Sequence, residues 1–252
     1  MRFTDKVVIV TGAGSGIGKA TAEGFAAEGA AIVAGEIDQA RLDALVDQLK
    51  AQGVKVVGVQ GNVASADDCK RLVDAAVENF GRLDILVNNA GIMDRMLPVG
   101  ELDDATWNRV LAVNLSGQMY TMRLAIPIML AQGGGVIVNV ASAAGLGGGF
   151  AGAAYTASKH GVIGLTRNTA VMYGKQNIRC VAICPGGVNT NIGAGGMPSE
   201  AGYASLGAGL ASMPRVGEPA ELANAILFAA SSEASFINGA IIPVDGGWTA
   251  QG

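Results

Sequence analysis

The stretch T-G-A-G-S-G-I-G, from Thr11 to Gly18, follows a short β-branched run and leads directly into a segment with helical spacing of apolar residues. Gly12, Gly16 and Gly18 allow the backbone to turn tightly and to approach a bound group closely. A helix that begins at such a turn points free N–H groups and the positive end of its dipole at that group, which favours a diphosphate. The stretch fits G-x-x-x-G-x-G and not G-x-G-x-x-G. Alone, it is also compatible with a simple strand-to-helix turn.

Glycine is abundant in the rest of the chain as well. It accounts for 38 of 252 residues, about twice the usual share. Proline is scarce, half of the residues are apolar and no Gly-X-Y repeat occurs, so collagen-like and disordered chains are excluded. Charged residues make up 15% of the chain against a usual value of about 25%. We therefore expect part of the surface to pack against another copy of the chain.

Short β-branched runs alternate with segments of helical periodicity along the whole chain. The predicted strands are residues 6–11, 30–35, 54–61, 83–87, 135–141, 178–184 and 240–244. The predicted helices are residues 16–28, 39–52, 66–80, 103–130, 153–174 and 219–230. This alternation predicts an α/β fold, a doubly wound seven-stranded parallel sheet with helices on both faces. Since no composition shift divides the chain, residues 1–252 are predicted to form a single domain.

Charge and hydropathy exclude two classes of partner. The net charge is -4 and the basic residues are scattered, so nucleic acid is not an expected partner. Residues 124–158 carry no charged side chain, but Pro127, Gln132 and several glycines interrupt them, so no membrane span is expected. The apolar run at the start of the chain is too short for a signal peptide. A cytoplasmic location is predicted.

Histidine and cysteine are too few for a recognisable metal or hydrolase site. His160 is the only histidine, and Cys69, Cys180 and Cys184 are dispersed along the chain. No metal site is expected, because zinc needs three or four converging ligands. A Ser-His-Asp hydrolase would have to use His160. The cysteines are expected to be reduced and buried.

Glu36 stands eighteen residues after Gly18, at the end of the second predicted strand. A carboxylate at about this distance from the glycine loop accepts hydrogen bonds from the adenosine ribose and repels a 2'-phosphate. Ile37 is apolar and position 15 is Ser, so neither offers a cation to such a phosphate. NAD is therefore predicted over NADP. Of the two acidic residues here, Asp38 fits a helix-capping role better than Glu36 does.

Tyr155 and Lys159 are four residues apart on a predicted helix, so their side chains project from the same face. A tyrosine that exchanges protons near pH 7 to 8 needs its pKa lowered by roughly 2 to 3 units. An ammonium group one turn away favours the phenolate and supplies part of that shift. An isolated Y-x-x-x-K pair is also common on exposed helices.

These motifs together resemble the short-chain dehydrogenase/reductase family, in its common form of about 250 residues, over essentially the whole chain. The motifs occur in the family's order: T-G-x-x-x-G-I-G at 11–18, N-N-A-G at 88–91, Asn114, Ser142, Y-x-x-x-K at 155–159 and P-G-G-V-N-T at 185–190. Most of them follow a predicted strand, which places them together at the carboxyl edge of the sheet, where doubly wound folds bind their ligands.

The resemblance implies that Asn114, Ser142, Tyr155 and Lys159 are catalytic. Tyr155 would exchange a proton with the substrate oxygen, and Ser142 would hydrogen-bond that oxygen. Lys159 would lower the pKa of Tyr155 and bind the nicotinamide ribose, and Asn114 would hold a water linked to Lys159. Predicted cofactor contacts, from the residues and the resemblance together, are Gly12, Ser15, Gly16, Ile17, Gly18, Glu36, Asn62, Val63, Asn88, Ala90, Gly91, Tyr155, Lys159, Pro185, Gly186, Val188 and Thr190.

One position departs from the family's pattern. The family usually has Asp where this chain has Asn62, before the valine that follows the third strand. The side-chain oxygen of Asn62 can still accept a hydrogen bond from the adenine amino group. The substitution removes one charge-assisted contact.

Residues 191–214 match the family's variable lid over the substrate. The segment is rich in small and apolar residues, and Glu200 is its only charge. Residues 143–150, which follow Ser142, are uncharged. Both segments favour a neutral, fairly apolar secondary alcohol or its ketone. Arg95 is the nearest candidate cation for an anionic substrate, although a solvated loop position is the simpler interpretation.

Two other functions stay open at this point. Many family members of this layout are 3-oxoacyl-acyl-carrier-protein reductases, which generally use NADPH and meet an acidic carrier through basic residues. Glu36 and the neutral turn at 131–135 argue against that function. The other alternative is a catalytically silent NAD-binding scaffold, against which the complete catalytic set weighs. The helices predicted at 103–130 and 153–174 resemble those that pair subunits in tetrameric relatives, so a homotetramer is predicted.

Overall fold

All seven predicted strands pair into one parallel sheet in the computed structural model, which describes residues 1–250. The strands are β1 (Val7–Thr11), β2 (Ala31–Glu36), β3 (Val56–Gln60), β4 (Ile85–Asn88), β5 (Gly135–Val140), β6 (Ile178–Pro185) and β7 (Ile241–Val244). Their order across the sheet is β3-β2-β1-β4-β5-β6-β7, and every neighbouring pair is parallel. The predicted doubly wound sheet is confirmed.

The helices cover both faces of this sheet. They are α1 (Gly16–Ala27), α2 (Gln39–Ala51), α3 (Ala66–Phe80), α4 (Asp104–Leu111), α5 (Gly117–Ala131), α6 (Ala153–Tyr173), α7 (Glu200–Ala211) and α8 (Pro219–Ala230). Side chains of α1, α2 and α8 join one apolar core, and those of α3, α5 and α6 join the other. Within β1, Val8 and Val10 belong to the first core and Val7 and Ile9 to the second, because successive strand residues point to opposite faces. Because both sides of the strand are covered, Val7 to Val10 form a continuous apolar run.

Two helical features differ from the prediction. The helix expected over residues 103–130 is divided into α4 and α5 by a π-helical turn at Ala112–Ser116. Periodicity does not reveal one wide turn, since the apolar face continues through it. In addition, segment 191–214 contains α7, which was not predicted. Its glycines and its apolar residues are spread around the whole helix, so the sequence shows no amphipathic pattern. None of the helices in residues 1–250 combines the length and apolar character that crossing a lipid bilayer requires.

A buried polar network joins the middle of the sheet to α5 and α6. Asn88 Nδ2 donates to Asn139 Oδ1 (2.9 Å), and Asn139 Nδ2 donates to the hydroxyl of Thr166 on α6 (2.9 Å). The hydroxyl of Thr121 on α5 donates to Asn88 Oδ1 (2.6 Å). All four side chains are fully or almost fully buried. Because buried polar groups are costly without partners, this network fixes how the two helices sit on β4 and β5.

Replacing Asn139 by Ala should lower the free energy of unfolding by about 2 kcal/mol, since the amide of Asn88 and the hydroxyl of Thr166 each lose a buried partner. Urea denaturation of the wild type and the variant measures this difference. Ser235→Ala, at an exposed position, is the control and should change it by less than about 0.5 kcal/mol. Equal midpoints for both variants would contradict the role of the network.

Candidate active site

A cavity of about 520 Å³ opens at the carboxyl edge of the sheet. It runs from the loop between β1 and α1, past the ends of β2 and β5, to α6 and the segment after β6. The structure brings most of the predicted site residues to its wall: Gly12, Ser15, Gly16, Ile17, Glu36, Asn62, Val63, Ala90, Gly91, Ser142, Tyr155, Lys159, Pro185, Gly186, Val188 and Thr190. Gly18, Asn88 and Asn114 are the predicted residues that do not line it.

The glycine loop has the shape that a diphosphate needs. Gly12 and Gly16 have positive φ angles of 64° and 50°, which favour glycine. Ser15 occupies the N-cap position of α1 without capping it through its side chain, so the first N–H groups of the helix face the cavity edge without a side-chain partner among the described residues. Thr190 packs against Gly16 from the other side. The loop therefore fits the anionic part of a dinucleotide.

Gly18 supports this loop from beneath instead of touching the cavity. A Cβ atom at this position would lie 2.1 Å from the carbonyl oxygen of Gly12. Only glycine lets α1 begin this close to the turn. Gly18 was predicted to contact the cofactor, but it does not line the cavity; it shapes the glycine loop that does.

Glu36 ends β2 with a carboxylate that is almost fully buried, at 7% exposure. Its Oε2 accepts a hydrogen bond from Gly14 N (2.9 Å), and its Oε1 accepts from the backbone amides of Ile37 (3.0 Å) and Asp38 (3.1 Å). Three backbone donors hold the negative charge at the cavity wall, where the prediction places the adenosine ribose. Asp38, as predicted, caps α2 by accepting from Arg41 N.

Arg41 corrects the prediction that no cation is near this position. The residue lies in the first turn of α2, lines the same cavity as Glu36 and packs beside Gly14. Its Nε is 3.6 Å from Asp38 Oδ2, and both side chains are about half exposed. The sequence prediction considered only positions 15 and 37. Arg41 escaped it because the first turn of α2 brings this residue, four positions after Ile37, back to the glycine loop.

At the adenine end, Asn62 lines the cavity in an exposed turn after β3. Its side-chain oxygen accepts from Ala64 N (3.0 Å), and its backbone N–H donates to Asp68 Oδ2 (2.9 Å). Asp68, which the sequence prediction missed, also lines the cavity, and its hydrogen bond with Arg71 lowers its pKa. A carboxylate is therefore present at this end of the cavity although position 62 itself carries an amide.

Asn88 does not face the cavity. Its side chain is 1% exposed and belongs to the network with Asn139 and Thr121. Asn88 was predicted to line the adenosine side, but its side chain does not reach the cavity, because it lies on the face of β4 that α5 covers and hydrogen-bonds Thr121 there. The neighbouring Asn89 lines the cavity, and its amide donates to the carbonyls of Thr11 and Gly12.

Ser142, Tyr155 and Lys159 meet where the cavity passes between β5 and α6. Tyr155 and Lys159 are one turn apart on α6, with exposures of 6% and 2%. The Ser142 side chain lies near enough to the Tyr155 hydroxyl to lower the pKa of that group. Lys159 Nζ donates to the carbonyl of Val140 (2.8 Å) and lies 5.5 Å from the centre of the Tyr155 ring. The three side chains that the motifs singled out are thus in one place, and an alcohol oxygen that reaches Ser142 also reaches Tyr155.

Burial controls the proton affinities of this group. It raises the pKa of Tyr155 to about 12, against the lowering effect of Ser142, and the charge of Asp94 acts in the same direction as burial. Burial also lowers the pKa of Lys159 to about 8. The sequence led us to expect a lowered pKa for Tyr155. Instead, the protein alone keeps the hydroxyl protonated at neutral pH, because removing a phenolate from water costs more than its neighbours return.

Asn114 lies in the π-helical turn and is fully buried. Its Oδ1 accepts from Ile92 N (2.8 Å), and its Nδ2 donates to Ile92 O (2.9 Å) and Ser158 Oγ (3.2 Å). A Cβ atom at Gly91 would lie 3.4 Å from Asn114 Oδ1 and 3.6 Å from Lys159 Nζ. The missing side chain of Gly91 thus leaves a gap between these two polar groups. The predicted water between them stays a prediction.

The other end of the cavity is apolar. Beyond Ser142 and Tyr155 its wall consists of Met93, Met96, Phe150, Ala151, Leu210, Met213 and Trp248. The Trp248 ring meets Phe150 edge to face with centroids 4.7 Å apart, and its Nε1 donates to Gly209 O (2.9 Å). The sequence prediction missed Trp248, since no local pattern shows that the segment after β7 returns to the site. Arg95 is exposed and lines a separate groove beside Met197, away from this cavity.

Among residues 1–250, no group of three or more His, Cys, Asp and Glu side chains is arranged to hold a metal ion. Cys69, Cys180 and Cys184 are free thiols and are buried. Burial raises the pKa of each of them to about 11 or 12, so they are unreactive at neutral pH.

Comparisons with known proteins identify the family of this chain. A family model described as enoyl-(acyl carrier protein) reductase matches residues 12–249. The chain is 47% identical over 247 residues to 3beta-hydroxysteroid dehydrogenase 2 of Eggerthella lenta, covering 97% of this chain and 95% of that protein. It is 40% identical to a 3-oxoacyl-(acyl-carrier-protein) reductase of Thermotoga maritima, covering 98% of this chain and 99% of the relative. The crystal structure of levodione reductase superposes with a TM-score of 0.89 at 36% identity, covering 100% of both chains.

Because Tyr155 is buried, we expect its hydroxyl to ionise at a higher pH than a free tyrosine does. A free tyrosine is half ionised near pH 10. Ultraviolet difference spectra of the wild type minus Tyr155→Phe isolate the phenolate signal of this one side chain, and we expect almost none at pH 10 because its pKa is raised to about 12. A half-developed difference signal at or below pH 9 would show that Lys159 outweighs burial.

Proposed function

The chain belongs to the short-chain dehydrogenase/reductase family, and from that premise we propose that it interconverts a neutral, fairly apolar secondary alcohol and its ketone with NAD. Family membership supports a nicotinamide cofactor and a reaction at a CH–OH group. The observation that carries the proposal is the position of Ser142 and Tyr155, at the junction between the glycine-loop end and the apolar end of one cavity.

Each end of the cavity suits one reactant. The glycine loop, Glu36 and the turn containing Asn62 would hold a dinucleotide, whose nicotinamide accepts or returns the hydride. Pro185, Gly186, Val188 and Thr190 would flank its nicotinamide side. The alcohol would lie against Phe150 and Trp248, with its oxygen at Ser142 and Tyr155.

The protein's own contribution is proton transfer and orientation. In ketone reduction the protonated Tyr155 hydroxyl donates to the carbonyl oxygen as the hydride arrives, and in alcohol oxidation Tyr155 accepts the hydroxyl proton. Ser142 holds the reacting oxygen beside it. Lys159 brings positive charge beneath the site, and Asn114 fixes the loop of Ile92 next to it. The apolar wall excludes water from the reacting carbon.

The shape of the apolar end favours a cyclic substrate. Phe150 and Trp248 form an aromatic wall, and Met96 and Met213 line the same end with side chains that adapt to different shapes. The hydroxysteroid dehydrogenase to which this chain is 47% identical is consistent with a polycyclic alcohol. We therefore include hydroxysteroids and alicyclic alcohols among the substrates to be tested first.

A second candidate function is reduction of a 3-oxoacyl group on a carrier protein with NADPH. The 40% identity to the Thermotoga maritima reductase supports it. Glu36 argues against the use of NADPH, because its carboxylate repels a 2'-phosphate. The turn at 131–134 offers no basic residue to an acidic carrier. A catalytically silent NAD-binding scaffold would bind NAD and would turn over neither an alcohol with NAD nor a hydroxyacyl ester with NADP.

The test is a screen of cyclohexanol, hydroxysteroids, sugars and hydroxyacyl esters, run with NAD and in parallel with NADP, for the wild type and Tyr155→Phe. We expect the variant to lose a factor of about 10² to 10⁴ in kcat, because it cannot carry the proton, while its Kd for NAD changes little. Tyr173→Phe, on the same helix, is the matched control and should keep full activity. Turnover by Tyr155→Phe at the wild-type rate would refute the mechanism, and turnover with hydroxyacyl esters alone would favour the second candidate.

Cofactor preference tests the roles of Glu36 and Arg41. Glu36→Gln removes the charge that repels a 2'-phosphate and leaves Arg41 in the cavity wall, so we expect the ratio of kcat/KM for NADP to that for NAD to rise by about tenfold or more. The double variant with Arg41→Met should lose most of this gain. A wild type that prefers NADP, as shown by kinetics with both cofactors, would refute the NAD half of the proposal.

We also propose a homotetramer. A closed tetramer of this kind needs two different self-complementary interfaces. Exposed apolar side chains occur on the predicted pairing helices, with Val171 at 80% and Met172 at 60% exposure on α6. A second set lies near the end of α8, where Phe236 is fully exposed.

In sedimentation velocity we expect Phe236→Asp to convert tetramers into dimers, because a carboxylate would replace an apolar contact in one interface only. A monomeric wild type would refute the proposal.

A further inference from the structure

Asp94 is a buried carboxylate outside the motifs that the proposed reaction uses. It lies in the loop after β4, is 0% exposed, and none of the Lys or Arg side chains in residues 1–250 forms a salt bridge with it. Its Oδ2 accepts from Tyr155 N (2.8 Å) and its Oδ1 accepts from Met96 N (3.1 Å). A charge left in the interior without a cation is expensive unless backbone donors satisfy it, which indicates a specific role for it.

The carboxylate caps the catalytic helix from another segment. Gly152 is the N-cap residue of α6 and has no side chain, so it cannot satisfy the first N–H groups of the helix. Asp94 does so at the third helical residue, which is Tyr155 itself. A Cβ at Gly152 would lie 2.5 Å from Asp94 Oδ1, so glycine at this position is what admits the carboxylate.

The same carboxylate holds a strained turn. Arg95 and Met96 both have φ angles of 57°, in the left-handed region that residues with side chains rarely adopt, and never cheaply in succession. Asp94 Oδ1 accepts the Met96 N–H inside this turn, and the carbonyl of Leu97 then accepts from Ala153 N (2.9 Å). The turn is thereby fastened to the start of α6.

The outer side of this turn carries the segment over the substrate end. Arg95 O accepts from Ser199 N (2.8 Å), at the N-cap of α7. A Cβ at Gly202 would lie 1.8 Å from Met96 O, so α7 packs directly on the turn. Ser199 Oγ also donates to Glu101 Oε2 (2.7 Å). Asp94 thus lies between α7 on one side and the backbone of Tyr155 on the other.

We propose that Asp94 is a positioning residue, which fixes the backbone of Tyr155 and the lid helix α7 relative to each other. The inference rests on the proposed function of Tyr155. Under this proposal the Asp94 carboxylate has two effects, one through its oxygens and one through its charge. Its oxygens set the geometry of the turn and of the helix start. Its negative charge opposes ionisation of the Tyr155 hydroxyl, alongside burial and Cys184 and against the effect of Ser142, while Lys159 faces the same ring.

Asp94→Asn and Asp94→Ala separate the two effects. Asn keeps an oxygen for Tyr155 N, loses the acceptor for Met96 N and removes the charge. We therefore expect kcat to stay within about threefold and the pH profile of alcohol oxidation to move down by about half a unit or more. Ala removes both, so kcat should fall by about tenfold or more while the Kd for NAD changes little. Asp103→Asn is the matched control, since Asp103 caps α4 in the same way by accepting from Thr106 N (2.7 Å), away from the cavity.

Amide hydrogen exchange gives a readout that needs no turnover. In Asp94→Ala, exchange should accelerate at residues 153–156 and 199–203 together, and in Asp103→Asn at neither segment. Faster exchange in a protein that shows no dehydrogenase activity would keep the positioning role and refute the proposed function. If both Asp94 variants keep the exchange rates, the kcat and the pH profile of the wild type, the positioning role is overturned. If Asp94→Ala does not fold, the pH profile and exchange of Asp94→Asn decide.

Discussion

All seven strands of the sheet run in the same direction, and this constraint places the end of every strand, with the loop that follows it, at one edge. Residues distant in sequence therefore become neighbours: the glycine loop after β1, Glu36 at the end of β2, Ser142 after β5 and Pro185 at the end of β6. The two apolar cores that hold the sheet between its helices keep that edge in place. The candidate site depends on strand direction before it depends on any single side chain.

Burial at this edge disfavours the charged form of a side chain, so it shifts the pKa values of Tyr155 and Lys159 in opposite directions. The pKa of Tyr155 is raised and that of Lys159 is lowered, both mainly because water is excluded from them. The protein alone therefore favours a neutral tyrosine, the form that donates a proton to a carbonyl oxygen. Asp94, held by backbone amides beneath the same helix start, adds to this preference. A lysine and a tyrosine four residues apart do not by themselves make a reactive phenolate.

Local patterns were sufficient to predict the sheet and most helices, and the resemblance to a known family supplied the greater part of the cavity wall. Periodicity finds strands and helices, and the Gly12 and Tyr155 motifs follow from spacing. The misses have physical reasons. The direction of the Asn88 side chain depends on its pairing with Asn139 across the sheet, and Arg41 and Trp248 reach the cavity through packing between distant segments. Asp94 gave no signal because its partners, Met96 and Tyr155, belong to a turn and a helix that only the fold brings together.

We propose that the cavity places a hydride donor and acceptor beside Tyr155. The most direct measurement uses cyclohexanol or a hydroxysteroid that the enzyme oxidises, deuterated at the carbinol carbon, with NAD as the cofactor. Mass spectrometry of the reduced cofactor should show one deuterium for each ketone formed, since the hydride moves directly from carbon to nicotinamide. Ketone formation with unlabelled reduced cofactor, or without cofactor reduction, would contradict the account.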